Sequence, residues 1–258
     1  MKHWWPLITL ASVLVAAMAA LYIAGYRIGP SITLIKTRTL TVTGLSDGAA
    51  VFADYAPRGE SKGNTLSIEL VPGPHTILVT AQNYAAWTGL VTVPKGTDSS
   101  IAALLVPKAV SGTLLSGEAA HAARTLIDQA TLPTEAQPLT LANGCALVFV
   151  SAENNTVVAA PTTTSACATP PPYLCASGTC EKTLIFTPPS RPSALFAYPG
   201  RQDALLVLIG QDLYALSLDP REPRTFTRVL HGIDPRAAVE PDGTIVVADQ
   251  SSVYTLSL

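Results

Sequence analysis

An uncharged run at the start of the chain limits most strongly what this sequence can fold into. No Asp, Glu, Lys or Arg occurs between Lys2 and Arg27, and the 23 residues from Trp4 to Tyr26 are almost wholly apolar. A helix of that length is roughly 35 Å long at about 1.5 Å per residue, longer than the roughly 30 Å hydrocarbon core of a bilayer. The run predicts a transmembrane signal-anchor helix within residues 1–27, with the rest of the chain carried at a membrane.

A cleaved signal peptide is the alternative interpretation of this run. Ala17-Met18-Ala19 is an acceptable cleavage site, but cleavage would leave Leu21-Tyr22-Ile23 next to the new N-terminus. The run is also longer than the usual apolar region of a signal peptide, about 7–15 residues. Aromatic rings lie at both ends, as in proteins that span a bilayer. The uncleaved anchor is therefore favoured.

The flanking charges and the cysteines give opposite indications of orientation. Arg27, Lys36 and Arg38 follow the run and only Lys2 precedes it, which by the positive-inside rule favours a cytoplasmic C-terminal part. Long domains, however, translocate largely regardless of flanking charge. Because disulfides persist in oxidising compartments, a disulfide-bonded cysteine cluster would indicate an extracytoplasmic domain. We expect a single-pass protein of the cell membrane with its C-terminal domains outside the cytoplasm.

The four cysteines lie within one stretch of 36 residues and do not have the paired C-x2-C spacing of a zinc site. Four cysteines allow three disulfide connectivities. We favour one bond across a short turn and one across the base of an insertion, although four reduced thiols are the alternative. The favoured pairs are Cys145 with Cys167 and Cys175 with Cys180.

The composition is that of a β-rich protein without a nucleic-acid partner. Charged residues make up 13% of the chain and the net charge is −2, so no basic field attracts a polyanion. Thr, Ser, Val and Leu are abundant and there are 21 prolines, a composition typical of strands and turns. The expected fold class is mainly β: the N-terminal helix, a small β-sandwich, and then incomplete β-propeller-like repeats.

Residues 39–108 show the alternation of apolar and polar residues that indicates half-buried strands. Residues 28–38 precede them as a juxtamembrane linker with a helix-breaking Gly29-Pro30 pair. About six short strands separated by Gly- and Pro-containing turns predict a β-sandwich. The six strands begin near Thr39, Ala50, Leu66, Ile77, Leu90 and Ile101.

Several motifs in this stretch resemble those of the PEGA domain, a small β-sandwich module of prokaryotic envelope proteins. They are Ser46-Asp47-Gly48-Ala49, Leu70-Val71-Pro72-Gly73-Pro74-His75, Asn83-Tyr84-Ala85-Ala86-Trp87 and a closing apolar strand from Ile101 to Pro107. The family's central hairpin is not recognisable in Asp54 to Asn64. The resemblance implies a spacer or adhesion module without catalysis.

Tyr84 and Trp87 are the candidate binding platform within this domain. Aromatic side chains at these positions either fill a small core or present a ring on which a sugar can stack. Core packing is the favoured interpretation, and a glycan platform is the alternative.

Residues 109–144 are expected to form a helical linker. Ser116 is placed to cap a helix over residues 116–130, whose apolar residues share one face at three-four spacing. Those residues are Ala119, Ala120, Ala123, Leu126, Ile127 and Ala130.

Residues 145–258 contain segments that align with one another. Leu205–Leu218 aligns without a gap with Ile245–Leu258, 40 residues later, and Leu147–Ala160 fits the same template. A period near 40–45 residues with strand content is a signature of propeller blades. We therefore expect three blade-like units, the first followed by a Cys-containing insertion at 161–180.

The last of these strands, Val253 to Leu258, ends the sequence and has no further strand after it. An open strand edge recruits another strand. Three completions are open: pairing of Ile245–Leu258 with residues 139–150, self-association through the C-terminal strand, or a longer natural chain.

No catalytic, cofactor or metal motif is recognisable, and neither a cofactor nor a metal is predicted. Asp203, Asp212, Asp242 and Asp249 lie near strand ends, where Asp commonly shapes a turn. The expected function is a non-catalytic, membrane-anchored binding or structural protein of the envelope, with an unknown envelope protein or glycan as partner besides the lipid bilayer. The alternatives are a sensor subunit of a signalling system and, less favoured, a hydrolase with its site on the blade loops.

Overall fold

The computed structural model describes residues 5–28, 34–162, 167, 170–171, 173–175, 179–221 and 224–258. This described part of the chain is mainly β. It divides into two compact units. The first comprises Met1–Ala81 and Thr88–Ala103, and the second comprises Gln82–Trp87 and Leu104–Leu258.

The N-terminal run forms one helix, α1 (Trp5–Ile23), of 19 residues. Among the residues that the structure describes, no helix is both long enough and apolar enough to cross a membrane. The sequence run begins at Trp4, outside the described residues. The predicted linker after the helix contains a short antiparallel hairpin of β1 (Tyr26–Ile28) and β2 (Leu34–Lys36).

The first unit contains two further sheets, in the strand orders β6-β3-β9 and β5-β4-β7-β8. Every second residue of most of these strands is buried, so each sheet has one buried face. Strand β9 pairs in parallel with β3, and β4 pairs antiparallel with β7. The strands are β3 (Arg38–Thr43), β4 (Ala50–Ala53), β5 (Ala56–Glu60), β6 (Thr65–Leu70), β7 (Gly73–Thr80), β8 (Trp87–Val93) and β9 (Ser99–Ala102).

Strand β5, like the short strands β1 and β2, was not predicted from the sequence pattern. It forms a hairpin with β4 through the two-residue turn Asp54-Tyr55, whose φ angles are 52° and 65°. Turns with two positive φ angles usually contain Asn-Gly or Asp-Gly, so Asp-Tyr gave no signal. The predicted closing strand ends at Ala102 and is therefore shorter than expected. Residues Ala103–Val106, which follow it, are buried but are not part of the strand.

The second unit consists of three four-stranded antiparallel sheets and one helix, α2 (Gly117–Gln129). Its strands are β10 (Ser111–Leu114), β11 (Leu139–Leu141), β12 (Ala146–Val150), β13 (Val157–Pro161), β14 (Thr183–Phe186), β15 (Ala194–Ala197), β16 (Ala204–Ile209), β17 (Asp212–Ser217), β18 (Phe226–His231), β19 (Pro235–Val239), β20 (Ile245–Asp249) and β21 (Ser252–Ser257). The first sheet has the order β11-β12-β13-β14, the second β15-β16-β17-β18 and the third β19-β20-β21-β10.

The central hairpins of these sheets explain the repeat in the sequence. The β16–β17 and β20–β21 hairpins both turn over two residues, at Gly210-Gln211 and at Gln250-Ser251. The β12–β13 hairpin instead has a loop of six residues, 151–156, between Val150 and Val157. The gap-free alignment of Leu147–Ala160 with Leu205–Leu218 therefore matches β12 with β16, but it does not match β13 with β17 in the correct register.

The third sheet is completed from within the chain, by a segment that was not among the three completions left open by the sequence. Strand β21 pairs with β20 on one side and with β10 on the other, for example through Gly112 and Leu256. Residues 139–150, the partner in one of those three completions, form β11 and β12 of the first sheet. The prediction of a linker over residues 109–144 is thereby corrected, because this segment supplies β10, α2 and β11 to the second unit.

Helix α2 forms where it was predicted and packs on the third sheet. Ala123 and Ile127 are buried against Ala238, Val246, Ala248 and Val253, and Ala120 and Leu126 pack beside them. Ala119 and Ala130, assigned to the same face, are exposed. Ser116 occupies the N-cap position, yet its side chain makes no capping hydrogen bond.

The first and second sheets share one continuous core. Leu174, from the insertion predicted at 161–180, is buried in it. Much of that insertion lies outside the described residues.

Candidate functional site

A cavity of about 330 Å³ lies in the second unit between the first strands of the second and third sheets. Strand β15 contacts both β11 and β19, so the first strands of the three sheets are neighbours. The C-terminal end of α2 covers one side of the cavity. A volume of this size is at the lower end of the range for pockets that hold a small organic molecule.

Most of the residues that line the cavity are apolar, but polar and apolar atoms contribute similar shares of its exposed surface. Arg236 on β19 provides the cation, and Ser193 and Thr131 provide hydroxyl groups. An apolar pocket with a few placed polar groups is typical of sites for small organic molecules. The apolar lining residues are Ile127, Ala130, Ala194, Leu195, Phe196, Leu208, Ala237 and Ala238.

Arg236 already has a carboxylate partner at the rim of the cavity. Its Nη1 donates to Oδ1 of Asp128 on α2 at 2.6 Å. The two side chains are 53% and 59% exposed, so the pair is solvated and contributes at most about 1 kcal/mol. A ligand carboxylate could therefore replace Asp128 at low cost, since the planar guanidinium binds carboxylates in a bidentate manner.

Little in the sequence indicated that these residues line a cavity. Strand β19 reads Pro235-Arg236-Ala237-Ala238-Val239, in which a single arginine precedes small apolar residues. That arginine, followed by two alanines, was the sequence feature that could have indicated a binding site. The other lining residues come from α2 and from β15, which are far apart in sequence.

The candidate platform residues do not form an exposed aromatic surface. Trp87 is buried, 8% exposed, so its ring offers no face for a sugar. Tyr84 is half-buried and forms an isolated β-bridge with Pro107. These positions fit the core-packing interpretation, and neither residue lines the cavity.

The structure contains both disulfides that the sequence favoured. Cys145 is bonded to Cys167 and Cys175 to Cys180, and no cysteine is free. The first bond ties the start of β12 to the insertion. The second closes a short loop just before β14.

The four aspartates near strand ends have structural partners. Asp242 accepts a hydrogen bond from the Thr244 N–H at 2.8 Å, as expected for a turn residue. Asp249 accepts from the backbone of Ile233 and Asp234. Asp203 forms an ion pair with Arg201, and the Asp212 carboxylate lies 2.9 Å from His231 Nδ1.

Asp212 lies in a cluster of titratable groups on the second sheet, together with His231 and Tyr214. His231 Nδ1 is 2.9 Å from its carboxylate, and the Tyr214 hydroxyl donates to it at 3.3 Å. Burial first, and then the negative charge of Asp212, raise the pKa of Tyr214. Phe226 stacks on the Tyr214 ring with centroids 4.4 Å apart. These side-chain contacts stabilise the pairing of β17 with β18.

Within the described ranges, no group of three or more His, Cys, Asp or Glu side chains is arranged to hold a metal ion. The predicted absence of a cofactor stays a prediction.

Comparisons with known proteins add little to this description. No family model matches the chain, and no curated protein matches it. Among solved structures, one described as a streptogramin B lyase is similar, with 15% identity, a TM-score of 0.29, and coverage of 76% of this chain and 70% of that one. A TM-score this low supports no inference about fold or activity.

Proposed function

We propose that the protein is an extracytoplasmic binding protein, and that it binds a small, mostly apolar molecule with an acidic group in the cavity between β15 and β19. The observation that carries this proposal is the cavity itself. It combines several apolar side chains with one arginine whose present partner, Asp128, is solvated and replaceable. An acidic ligand would bury its apolar part and place its carboxylate at Arg236.

The proposed compartment rests on the two disulfides. Such bonds are rare in proteins of the reducing cytosol and common in secreted and periplasmic ones. We further propose that the apolar run from Trp4 to Tyr26 anchors the chain in the cell membrane, a proposal supported by the sequence alone.

We also propose that the first unit is a PEGA-like sandwich and that the second unit consists of incomplete propeller-like repeats. Two sheets with one buried face each are compatible with a PEGA-like sandwich that serves as a spacer. Three four-stranded sheets whose first strands are neighbours are compatible with incomplete propeller-like repeats. The cavity lies between the first strands of two of these sheets.

That the protein is not an enzyme stays part of the proposal. An envelope protein or a glycan as partner, self-association through the C-terminal strand, the sensor role and the hydrolase role are alternatives that no observation in the structure favours. The C-terminal strand β21 is paired on both sides within the described chain, which leaves it no open edge for self-association.

Ligand capture from an envelope extract would test the proposed binding. The immobilised full-length protein is incubated with the extract, washed and denatured, and the released small molecules are identified by mass spectrometry. We expect enrichment of an organic acid. A Ser193→Trp variant, which fills the cavity from its rim, should lose the enrichment.

A matched variant controls for a general effect of the added indole ring. Ser251→Trp places the same ring in the exposed β20–β21 turn, away from the cavity lining. It should capture the same molecules as the wild type. Equal capture by all three proteins, or capture of no small molecule by any of them, would contradict the proposal.

A further inference from the structure

The turn between β4 and β5 presents a large aromatic side chain to solvent. Tyr55 is 90% exposed and has a φ angle of 65°, while Asp54 before it has a φ angle of 52°. Asp tolerates positive φ fairly well, but the conformation is uncommon and strained for a bulky residue. Such a residue stays in place only where its surroundings hold the turn.

A buried histidine holds this turn. His75, which is 7% exposed, lies with Nδ1 2.6 Å from the Asp54 carboxylate, and its Nε2 donates to the Val71 carbonyl at 2.7 Å. The other oxygen of Asp54 accepts from the Thr76 N–H at 3.0 Å. The turn is thus fixed to the start of β7, and Tyr55 is held outward on a rigid support.

The turn lies at the end of the first unit where the chain enters from α1. Ala53 pairs with Ile77 near the start of β7, which follows β6 after a short turn. The end of β6 pairs with the start of β3, since Leu70 lies opposite Arg38. The residues between α1 and β3 contact the same end, where Arg27 lies 3.6 Å from Glu69.

The chain leaves this unit at the opposite end. Strand β7 ends at Thr80, which pairs with Ala50 at the start of β4. Strand β9 ends at Ala102, which pairs with Thr43 at the end of β3. One end of the unit therefore carries both the Tyr55 turn and the connection to the N-terminal helix.

We infer that the Asp54-Tyr55 turn contacts the lipid headgroups of the membrane that holds the N-terminal run. This inference rests on the proposed anchoring. Tyrosine favours the headgroup level because its ring is apolar and its hydroxyl is polar. Tyr22 and Tyr26 lie near the end of α1, and the Arg27 guanidinium stacks 3.7 Å from the centre of the Tyr22 ring.

The charges near this end fit an anionic lipid surface. Arg58, on β5 close to the turn, and Lys36, on β2, are both exposed. Basic side chains close to an anionic lipid surface are attracted to it. Together with Tyr55, Arg58 and Lys36 would give the first unit a second contact with the membrane, in addition to the N-terminal helix.

Depth-dependent quenching in vesicles tests this inference. Because all four native cysteines are paired, a single added cysteine can be labelled uniquely with a fluorescent probe. Full-length Tyr55→Cys protein is labelled and reconstituted into phosphatidylcholine–phosphatidylglycerol vesicles that contain headgroup spin-labelled lipid. A second reporter, Ala56→Cys, keeps Tyr55 in place in case the first variant does not fold.

The control reporter is Lys62→Cys, which is exposed in the turn between β5 and β6 at the opposite end of the unit. We expect quenching about twofold stronger or more at positions 55 and 56 than at position 62, since a headgroup contact brings a probe within about 10 Å of the quencher. Equal quenching at the three positions would overturn the inference.

A carbonate wash of the same vesicles separates this inference from the proposed anchoring. Protein that stays in the washed vesicles without preferential quenching at positions 55 and 56 leaves the anchoring intact and overturns only the headgroup contact. Protein that the wash releases overturns both.

Discussion

The clearest electrostatic feature at the scale of single residues is the carboxylate of Asp54. Partial burial alone would raise its pKa, but hydrogen bonds from His75 and Thr76 and the charges of His75 and Arg58 outweigh it, so the pKa of Asp54 is lowered. A carboxyl group with a lowered pKa in the folded state stabilises the protein above its unfolded pKa of about 4. That contribution is lost as the pH falls through the lower pKa of the folded state.

An Asp54→Asn variant should therefore respond less to acid than the wild type does. We expect the wild type to lose more unfolding free energy than the variant as the pH falls from near neutrality to below about 4. The difference should be about 1 kcal/mol or less, because the carboxylate is half exposed. Urea unfolding followed by circular dichroism at several pH values measures it, and parallel pH profiles would contradict the assignment.

Single residues also show what the sequence could predict. The cysteine pairs were predictable because spacing limits the connectivities and chain order favours near neighbours. Arg236 and Leu174 were not, because an arginine in a strand or a leucine in an insertion has no local pattern that shows what it will contact. The positive φ angles of Asp54 and Tyr55 could not be predicted either, since tertiary contacts with β7 stabilise this turn.

At the scale of secondary-structure elements, β10 is the element on which the third sheet depends. A Cβ atom added at Gly112 would lie 3.0 Å from the Thr255 carbonyl oxygen and 3.1 Å from the Tyr254 ring. Gly112→Val should therefore push β10 off β21. We expect amide exchange in β21 to become faster and the unfolding free energy to fall by about 1–3 kcal/mol, as for overpacking in general.

Thr113→Val is the matched control, since it places the same β-branched side chain at the next, exposed position of β10. It should leave the exchange of Val253 to Leu256 unchanged. Slow exchange at these amides in Gly112→Val would show that β10 does not complete the sheet.

The two disulfides should differ in their contributions to stability. The Cys145–Cys167 bond closes a loop with a sequence separation of 22, and the Cys175–Cys180 bond one of 5. Chain entropy alone then gives about 3 kcal/mol for the first and about 2 kcal/mol for the second. Paired Cys→Ser variants, compared by denaturant unfolding, should rank in that order, and a larger loss from removing the shorter loop would contradict this account.

The elements were easier to predict than their pairing. Alternation in Leu66–Leu70 and the aligned hairpins near Tyr214 and Tyr254 indicated strands, because local periodicity determines them. The pairing of β10 with β21 was not predictable, because it joins a short, weakly apolar Ser-Gly-Thr-Leu segment to a strand more than 100 residues away. Only the completed third sheet makes that segment a strand.

At the scale of the whole molecule, the sequence predicted a mainly β chain with a repeated second half, and the structure has both. The candidate site could not be predicted in the same way. Its lining comes from α2, β15 and β19, and only the packing of the second and third sheets brings these elements together. That the N-terminal run anchors the protein in a membrane, and that the Asp54-Tyr55 turn contacts the lipid headgroups, stay proposals.

The proposed function requires that the cavity between β15 and β19 binds an organic acid through Arg236. Isothermal titration of the full-length protein with a cavity-sized aromatic carboxylate such as phenylacetate measures this binding, with Arg236→Gln and Asp128→Asn variants measured alongside. Arg236→Gln should weaken binding about tenfold or more, because hydrogen bonds to charged groups contribute about 1.5–3 kcal/mol. Asp128→Asn should tighten binding, since it removes the carboxylate that competes for Arg236. Unchanged affinity in Arg236→Gln, or the same weak affinity in all three proteins, would contradict the claim.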